Sequence, residues 1–506
     1  MYPEFVKMKY LFLIIISIFL VTACKGQQPI VLGERVTTDF ETGTLISNQS
    51  FLSADPASVQ NISLASGNAP FKIEVFEKNT YLIISTTISN ELNAAFTMPT
   101  RAGNYKLRIT DATGVMSWMD LVSNFGSGAY TTAGLTNPGG RTLIQAVGDY
   151  NGDGNLDYSA IRHTGGYDAK LFLGNGDGTY TLDQNIADDI IYPRFIDLHA
   201  DGDLDLIYVK YITGEFCYRF NNGVGVFAAE VCLVMPVPSS GAAQYRRAQP
   251  VFLNDDKYPD VVINGVTGQG IIFTAIGKAD GSFEAPVEFD PAGGLVTTSS
   301  QRAMTMRDMN DDGYEDVIME TRANVANELQ TTFYIADGAG SFSSAYQYRD
   351  TSSVAMKYME ETKGPCVIDT NGDNLPDLLS SILGFGFTSH TNNGDGTFNL
   401  QTTIPKATSE DARGFACSDL DGDGTLDIVS ANYNRYLSGG NYQGFQISTG
   451  NADGSLNAKI YMNSNYVYSN WQRGTMSLGD FNNDGRIDIL HGAWENGATL
   501  IMLGQP

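Results

Sequence analysis

Histidine is scarce in this chain, with only 4 among 506 residues. It is the side chain that most often serves as a general acid or base near neutral pH. The sequence also lacks an H-E-x-x-H motif, a G-x-S-x-G nucleophile turn and a glycine-rich phosphate loop. We therefore predict no catalytic residues, although an enzyme built from scattered Tyr, Arg and Lys side chains stays open.

Basic residues are also few: 31 Lys and Arg stand against 57 Asp and Glu, which leaves a formal net charge of −26. A nucleic-acid-binding surface needs clustered positive charge, because binding depends on replacing the counterions of the phosphates. The charge balance therefore argues against nucleic acid as a partner.

The apolar run at residues 8–24, MKYLFLIIISIFLVTAC, is too short for a comfortable membrane span. Its ending, VTAC, resembles a bacterial lipobox. This interpretation makes residues 1–23 a lipoprotein signal peptide, Cys24 the lipidated residue and residues 24–32 a linker. Lys25 favours the outer membrane or cell surface as the location. A short cleaved signal with an incidental cysteine is the alternative.

One acidic loop is repeated seven times between residues 149 and 488, each time before a β-branched run such as DIVSA. A motif repeated at this spacing indicates a repeat architecture. In six copies the side chains at positions 1, 3, 5 and 9 are mostly Asp or Asn, and position 6 is Gly or Asn. The copies are DYNGDGNLD from Asp149, DLHADGDLD from Asp197, FLNDDKYPD from Phe252, DMNDDGYED from Asp308, DTNGDNLPD from Asp369, DLDGDGTLD from Asp419 and DFNNDGRID from Asp480.

This spacing suits calcium, a hard cation that takes about six to eight oxygen ligands. Side chains at positions 1, 3, 5 and 9 and the backbone carbonyl at position 7 would supply them, while position 6 turns with positive φ. We expect about six calcium ions. The predicted ligand residues are Asp149, Asn151, Asp153, Asn155 and Asp157; Asp197, His199, Asp201, Asp203 and Asp205; Asp308, Asn310, Asp312, Tyr314 and Asp316; Asp369, Asn371, Asp373, Leu375 and Asp377; Asp419, Asp421, Asp423, Thr425 and Asp427; and Asp480, Asn482, Asp484, Arg486 and Asp488.

Two copies depart from the pattern. The third has Phe252 at position 1 and Lys257 at position 6, so we expect no metal there. The second has His199 at position 3, an unusual calcium ligand, which predicts a weaker site or one completed by water. The alternative for every copy is an ordinary turn held by Asx hydrogen bonds.

A glycine hairpin alternates with the acidic loop and also occurs seven times, ending at Tyr130, Tyr180, Phe227, Phe283, Phe342, Phe398 and Leu456. Each hairpin precedes a loop, and the chain stops near Gly504, where the next hairpin is missing. A closed ring whose last unit is completed by a strand from the start of the domain explains this permuted order. The sequence therefore predicts an all-β fold with a seven-bladed β-propeller, closed near residues 121–132. An open solenoid is the alternative.

The two repeats together resemble the FG-GAP or VCBS family, best known from the propellers of integrin α-subunits. NFGSGAY keeps Phe125, Gly126, Gly128 and Ala129 of the name-giving motif, and the resemblance covers residues 119–506. It implies a calcium-stiffened, noncatalytic scaffold for adhesion or recognition of an extracellular glycan or protein. Similar propellers also occur in lectins and in a few polysaccharide lyases, so a lyase-like enzyme and a structural envelope protein are the alternatives.

Six of the seven repeats carry a basic residue ahead of position 1, where the first strand of the unit is expected to begin. In a closed ring these residues would surround the central channel on the face opposite the loops, and so attract an anionic ligand. Surface pairing with neighbouring carboxylates is the alternative. The residues are Arg141, Arg247, Arg302, Lys363, Arg413 and Arg473.

Residues 33–118 lack both repeats and contain strand-like runs such as KIEVF and YKLRITDA, which predict a small Ig-like β-sandwich. Four further cysteines would lie in an oxidising compartment. Cys217 and Cys232 flank a hairpin turn, where a cross-strand disulfide fits. Cys366 and Cys417 precede position 1 in adjacent repeats, and free buried thiols suit either pair equally well.

Overall fold

The computed structural model describes residues 51–506 apart from residue 65 and residues 137–140, 164–166, 238–244, 266–270, 291–302, 311, 323–328, 351–364, 372, 374, 383–385, 394–396, 406–409, 435–442, 452, 454, 458–459, 464–473 and 494–497. Within these ranges every regular element is a β-strand, and no helix is long and apolar enough to cross a membrane. The predicted signal peptide, Cys24 and the linker lie outside the described residues.

The N-terminal part of the described chain forms a five-stranded sheet, in the order β1-β7-β6-β3-β4, and a two-stranded sheet of β2 and β5. Alternating residues such as Ile73, Val75 and Leu107 face one side and pack against Ile62 and Phe96 of the small sheet. The strands are β1 (Phe51–Ala54), β2 (Val59–Ser63), β3 (Phe71–Glu77), β4 (Ile83–Ser89), β5 (Asn93–Thr97), β6 (Gly103–Thr110) and β7 (Met116–Ser123).

The domain boundary predicted at residues 118 and 119 falls inside β7. This strand pairs with β6 along its whole length, and Met119 and Leu121 are buried in the N-terminal core. The N-terminal unit therefore extends to Ser123, because an apolar strand in the middle of a core cannot belong to the next domain.

The other strands form four-stranded antiparallel sheets, seven of them in the described ranges. Repeated four-stranded sheets in an all-β chain are the architecture of a β-propeller. In order along the chain, the sheets are β9 (Arg141–Gly148), β10 (Asp157–His163), β11 (Tyr167–Gly174) and β12 (Tyr180–Asp188); β13 (Ile190–Ile196), β14 (Asp205–Lys210), β15 (Phe216–Arg219) and β16 (Val231–Leu233); β17 (Tyr245–Val251), β18 (Asp260–Gly265), β19 (Ile272–Ala275) and β20 (Val287–Phe289); β21 (Ala303–Arg307), β22 (Asp316–Arg322), β23 (Leu329–Ala336) and β24 (Phe342–Asp350); β25 (Cys366–Ile368), β26 (Asp377–Ile382), β27 (Gly386–Asn392) and β28 (Phe398–Pro405); β29 (Glu410–Ser418), β30 (Asp427–Asn434), β31 (Gln443–Ser448) and β32 (Ile460–Asn463); and β33 (Gly474–Gly479), β34 (Asp488–Ala493), β35 (Ala498–Gly504) and β8 (Tyr130–Thr136).

The last sheet joins the two ends of the repeat region. The strand β35 pairs with β8, with Gly504 opposite Tyr130 and Thr499 opposite Thr136. The first strand of this sheet, β33, also contacts β9 of the first sheet. The pairing agrees with the expected completion of the C-terminal unit, but the closing strand begins at Tyr130, since Leu121 belongs to the N-terminal sheet.

The structure contains two disulfides, one within a sheet and one between two sheets. Cys217 and Cys232 are directly opposite each other on β15 and β16. The bond between Cys366 and Cys417 joins β25 to β29, which are the first strands of neighbouring sheets. The structure thus pairs all four cysteines, where the sequence alone left free thiols open.

Candidate metal centres

Each acidic loop connects the first strand of a four-stranded sheet to the second. In the first sheet β9 ends at Gly148, and β10 begins at Asp157, position 9 of the loop. In every copy, position 9 is the first residue of the second strand. The repeat therefore places all seven loops at the same end of their sheets.

Carboxylate oxygens converge inside the sixth loop. The carboxylate oxygens of Asp419, Asp421 and Asp423 lie within 4.8 Å of one another. In the four loops with Asn at position 3, its Nδ2 donates to the position 5 carboxylate over 2.9 to 3.0 Å. A cluster of oxygen donors without nitrogen or sulfur is the set that a hard cation such as calcium prefers. The side chains at positions 1, 3 and 5 of the sixth loop therefore fit a calcium ion.

Position 1 closes the loop and position 6 makes the turn. Asp149 accepts hydrogen bonds from the backbone nitrogens of Asp153 (3.1 Å) and Gly154 (2.8 Å). Gly154 has φ of 90°, and the other position 6 glycines have φ between 81° and 99°, as expected. An Asx turn uses similar hydrogen bonds. The preference for a metal centre therefore rests on the converging oxygens.

Position 9 has a structural function that the sequence interpretation missed. Both carboxylate oxygens of Asp157 accept backbone hydrogen bonds, one from Tyr150 (3.1 Å) and one from Gly174 at the end of β11 (2.9 Å). The same pair of bonds recurs in the other six copies. The third copy keeps this residue, Asp260, although it lacks the position 1 carboxylate. An aspartate kept at position 9 of a loop without the metal pattern was the signal in the sequence that this position has a function other than metal ligation.

We expect Asp260→Ala to lower the free energy of unfolding by about 2–6 kcal/mol, because it leaves the buried N–H groups of Leu253 and Gly277 without an acceptor. Chemical unfolding with and without calcium measures this. The loss should be equal in both conditions, since the third loop is not a predicted metal site. The exposed Asp255, changed to Ala as a control, should cost less than about 1 kcal/mol. A loss seen only with calcium would contradict the structural function.

Burial makes the position 9 carboxyl groups weak acids in the metal-free chain. Burial, with a smaller contribution from Asp149, raises the pKa of Asp157 to about 7. Burial and the nearby Asp421 raise the pKa of Asp427 to about 8, and burial and Asp480 raise the pKa of Asp488 to about 8. Their ordinary pKa is 3.8. The folded chain therefore holds these protons more tightly than the unfolded chain does.

Without calcium, the melting temperature should fall as the pH rises from about 4 to about 8, because ionisation of these groups then costs more in the folded state. The stability that these protonated carboxyl groups contribute is fully present below their ordinary pKa. It is lost as the pH rises through their raised pKa values. Calcium should remove this fall, since the cation stabilises the ionised carboxylates. Thermal unfolding across this pH range in calcium and in chelator is the measurement. Equal slopes in both buffers would contradict the prediction.

The second loop departs from the others at His199. Its Nδ1 lies 3.1 Å from Oδ2 of Asp205, at position 9, and its ring packs on Phe220 at 4.4 Å between centroids. The imidazole therefore pairs with the position 9 carboxylate and supplies no oxygen at position 3. A weaker metal site in this loop stays a prediction.

The third loop uses position 1 for packing. Phe252 is 2% exposed, and its ring lies 5.5 Å from Phe76, 5.1 Å from Tyr81 and 6.0 Å from Trp118 of the N-terminal part. The guanidinium of Arg108 lies 4.8 Å from the same ring centre. The residue that removes the calcium pattern thus anchors the N-terminal sheet. The signal in the sequence was a large aromatic where six copies have Asp.

Buried polar contacts surround this anchor. Lys106 forms an ion pair with Glu315, at position 8 of the fourth loop, and Tyr81 donates to the same carboxylate over 2.7 Å. Trp118 Nε1 donates to the carbonyl of Gly313 over 2.8 Å. These donors and acceptors are satisfied across the interface, so the two parts of the chain are specifically docked.

Contacts with other loops extend the interface. Arg101 donates to the carbonyl of Gly154 in the first loop. Asn124 Nδ2 donates to the carbonyl of Asp419 over 3.0 Å, and the backbone N–H of Phe125 donates to Gly485 over 3.0 Å. The N-terminal part therefore covers the face of the sheets that carries the acidic loops.

The predicted basic ring is only partly described. Arg141 is the first residue of β9 and Arg413 the fourth of β29, but their side chains lie outside the described part. Arg247, on β17, is 3% exposed and its guanidinium lies 4.4 Å from the ring centre of Tyr192. It is buried and does not stand at an open channel mouth. The remaining three residues, Arg302, Lys363 and Arg473, lie outside the described ranges.

Comparison with known proteins gives similarities of shape. No family model matches the chain, and no curated protein matches it. A solved structure of the Dos1 propeller shares 10% identity, with 88% of this chain and 95% of that one covered and a TM-score of 0.43. A Lactobacillus plantarum protein shares 10% identity over 77% of this chain and 96% of its own, with a TM-score of 0.38. The Photorhabdus luminescens Tc holotoxin pore shares 13% identity over 82% of this chain and 20% of its own, with a TM-score of 0.35.

Proposed function

We propose that this chain is a calcium-stabilised, noncatalytic binding protein, built as a seven-bladed propeller of the FG-GAP or VCBS type behind an Ig-like N-terminal domain. The pairing of β35 with β8 and the seven four-stranded sheets support the ring. The converging oxygens of Asp419, Asp421 and Asp423 support calcium as the resident ion. A lipid on Cys24 tethers the protein to the outer membrane or cell surface.

The position of the N-terminal sheet indicates where the ligand surface lies. It covers the acidic-loop face, through Phe252, Lys106 and Trp118, so this face is not free for a large partner. The extracellular glycan or protein therefore binds the opposite face or the rim. Arg141 and Arg413, on strands that lead away from that opposite face, favour an anionic partner.

Arrays of glycans and extracellular proteins, probed with the chain in calcium and in chelator, test this function. We expect calcium-dependent binding without product formation; cleavage of a bound polysaccharide would instead identify a lyase. The double variant Arg302→Ala with Arg413→Ala should weaken binding of acidic ligands and leave calcium content unchanged. Arg162→Ala is the matched control, because Arg162 already pairs with Asp168 at 2.8 Å. Full binding by the double variant would contradict the anionic site.

A further inference from the structure

A cavity of about 200 Å³ lies between the N-terminal sheet and the first strands of the seven four-stranded sheets. Each of these strands contributes one or more residues to its wall, and Lys78, Tyr81, Lys106 and Asp120 of the N-terminal part also line it. The volume is below the roughly 300–1,000 Å³ of pockets for drug-sized molecules. An occupant of this space must therefore be small.

Arg194 of β13 brings an uncompensated charge to this cavity. Its Nε donates to Oε1 of Gln249 over 3.2 Å, and its Nη1 donates to the carbonyls of Gln145 and Pro193. These acceptors are all neutral, and Nη2 has no partner among the described residues. Burial and the nearby Arg247 lower the pKa of Arg194 to about 10. The guanidinium is thus charged at neutral pH with no described carboxylate beside it.

The other cations of the lining differ from Arg194. Lys78 pairs with Asp120 at 3.0 Å, and Lys106 pairs with Glu315. Arg194 is half-buried, and a partly desolvated cation without a counter-charge is less stable than a paired one. Arg194 is therefore the cation of this lining that has no carboxylate partner among the described residues.

A second polar group of the lining also lacks a partner. Gln145 of β9 is 4% exposed, and its Nε2 has no hydrogen-bond partner among the described residues. Its backbone carbonyl accepts a hydrogen bond from Arg194 Nη1, so the two residues are neighbours. Arg194 Nη2 and the Gln145 amide are thus two donors of the cavity lining without a partner among the described residues.

The other first strands offer a different surface. Met304 of β21, Ile368 of β25, Phe415 of β29 and Leu478, on β33, line the same cavity and are each less than a tenth exposed. The wall is polar at β9, β13 and β17 and largely apolar across the remaining strands. A ligand that matches both parts carries one anionic group and a short apolar body.

We propose that this cavity binds a small organic monocarboxylate, whose carboxylate accepts hydrogen bonds from Arg194 Nη2 and the Gln145 amide. A guanidinium suits a planar carboxylate because its donors match the geometry of the two oxygens. The apolar body packs toward Met304 and Phe415. This site is separate from the proposed extracellular ligand surface and does not depend on it.

Titration calorimetry on the full calcium-loaded chain tests this site with butyrate as the probe, at constant ionic strength. We expect one saturable site for butyrate and no binding of the neutral butyramide. Arg194→Gln should weaken butyrate binding at least about tenfold, the equivalent of about 1.4 kcal/mol. Its fold should be retained, because the glutamine amide keeps a donor for the neighbouring carbonyls and the change removes a charge without a described counter-charge. Arg162→Gln is the control that should bind like the parent chain.

Three results would overturn the proposal. These are no saturable binding of butyrate by the parent chain, equal binding of butyrate by Arg194→Gln, and equal affinity for chloride, which would indicate an inorganic anion site. Gln145→Leu is a second variant that removes a neutral group, and it should also weaken butyrate binding. Full affinity in that variant would exclude the amide from the site.

Discussion

Replacing Phe252 by alanine is expected to lower the free energy of unfolding by about 3–5 kcal/mol and to loosen the N-terminal sheet from the acidic-loop face. The ring is 2% exposed and packs between Phe76, Tyr81 and Trp118. Removal of the ring leaves a cavity at the centre of the interface. Each aromatic pair that is lost costs about 0.5–1.5 kcal/mol in addition to the loss of buried apolar area.

Chemical unfolding measures the energy, and limited proteolysis between β7 and β8 measures the docking. Phe125→Ala is the matched control, since Phe125 is 48% exposed and should cost little. Calcium content should be unchanged in both variants, because neither residue is a predicted metal ligand. A stability loss no greater than that of the control would show that Phe252 is not the anchor.

Removal of calcium is the second large expected effect. Chelation should lower the melting temperature strongly, because a calcium ion that binds only the folded chain stabilises it. At a free calcium concentration of about 100 times the Kd, each site adds about 2.7 kcal/mol to the free energy of unfolding. Without the ions, clustered carboxylates such as Asp419, Asp421 and Asp423 repel one another. Metal analysis of the dialysed chain should give about six calcium ions.

A pair of position 5 variants separates metal ligation from turn formation. Asp423→Asn, in the sixth loop, should reduce the calcium content by about one ion and lower the melting temperature only when calcium is present. Asp256→Asn, at the same position of the third loop, should leave the calcium content unchanged. An identical calcium content in parent and Asp423→Asn chains, or a melting curve insensitive to chelator, would mean that the loops are only turns.

The repeats are where sequence reasoning reached furthest. The acidic loops and their positive-φ glycines, such as Gly154 and Gly424, follow local rules, because a turn with positive φ favours glycine. The pairing of the C-terminal strand with a strand near Tyr130 is long-range, but the order of the repeats along the chain predicts it. A sequence displays both the local spacing and the order of its repeats directly.

The position of the domain boundary was harder to predict, because it depends on which core buries a strand. The repeat pattern begins near residue 119, yet β7 runs from Met116 to Ser123 and places Met119 and Leu121 in the N-terminal core. The sequence of an apolar strand does not indicate which of two neighbouring hydrophobic cores buries it. Only its pairing with β6 decides the matter.

The sequence by itself determined the all-β class, the repeats and the position of the acidic loops, because each depends on short-range spacing. Only the tertiary structure determined that the acidic loops contact the N-terminal sheet. Tyr81 and Glu315 meet although they are 234 residues apart, and Phe252 becomes an anchor only because aromatic rings from the N-terminal sheet surround it. Likewise, only the fold determines which described residues surround Arg194, whose hydrogen-bond acceptors among them are all neutral, because its neighbours come from distant parts of the sequence.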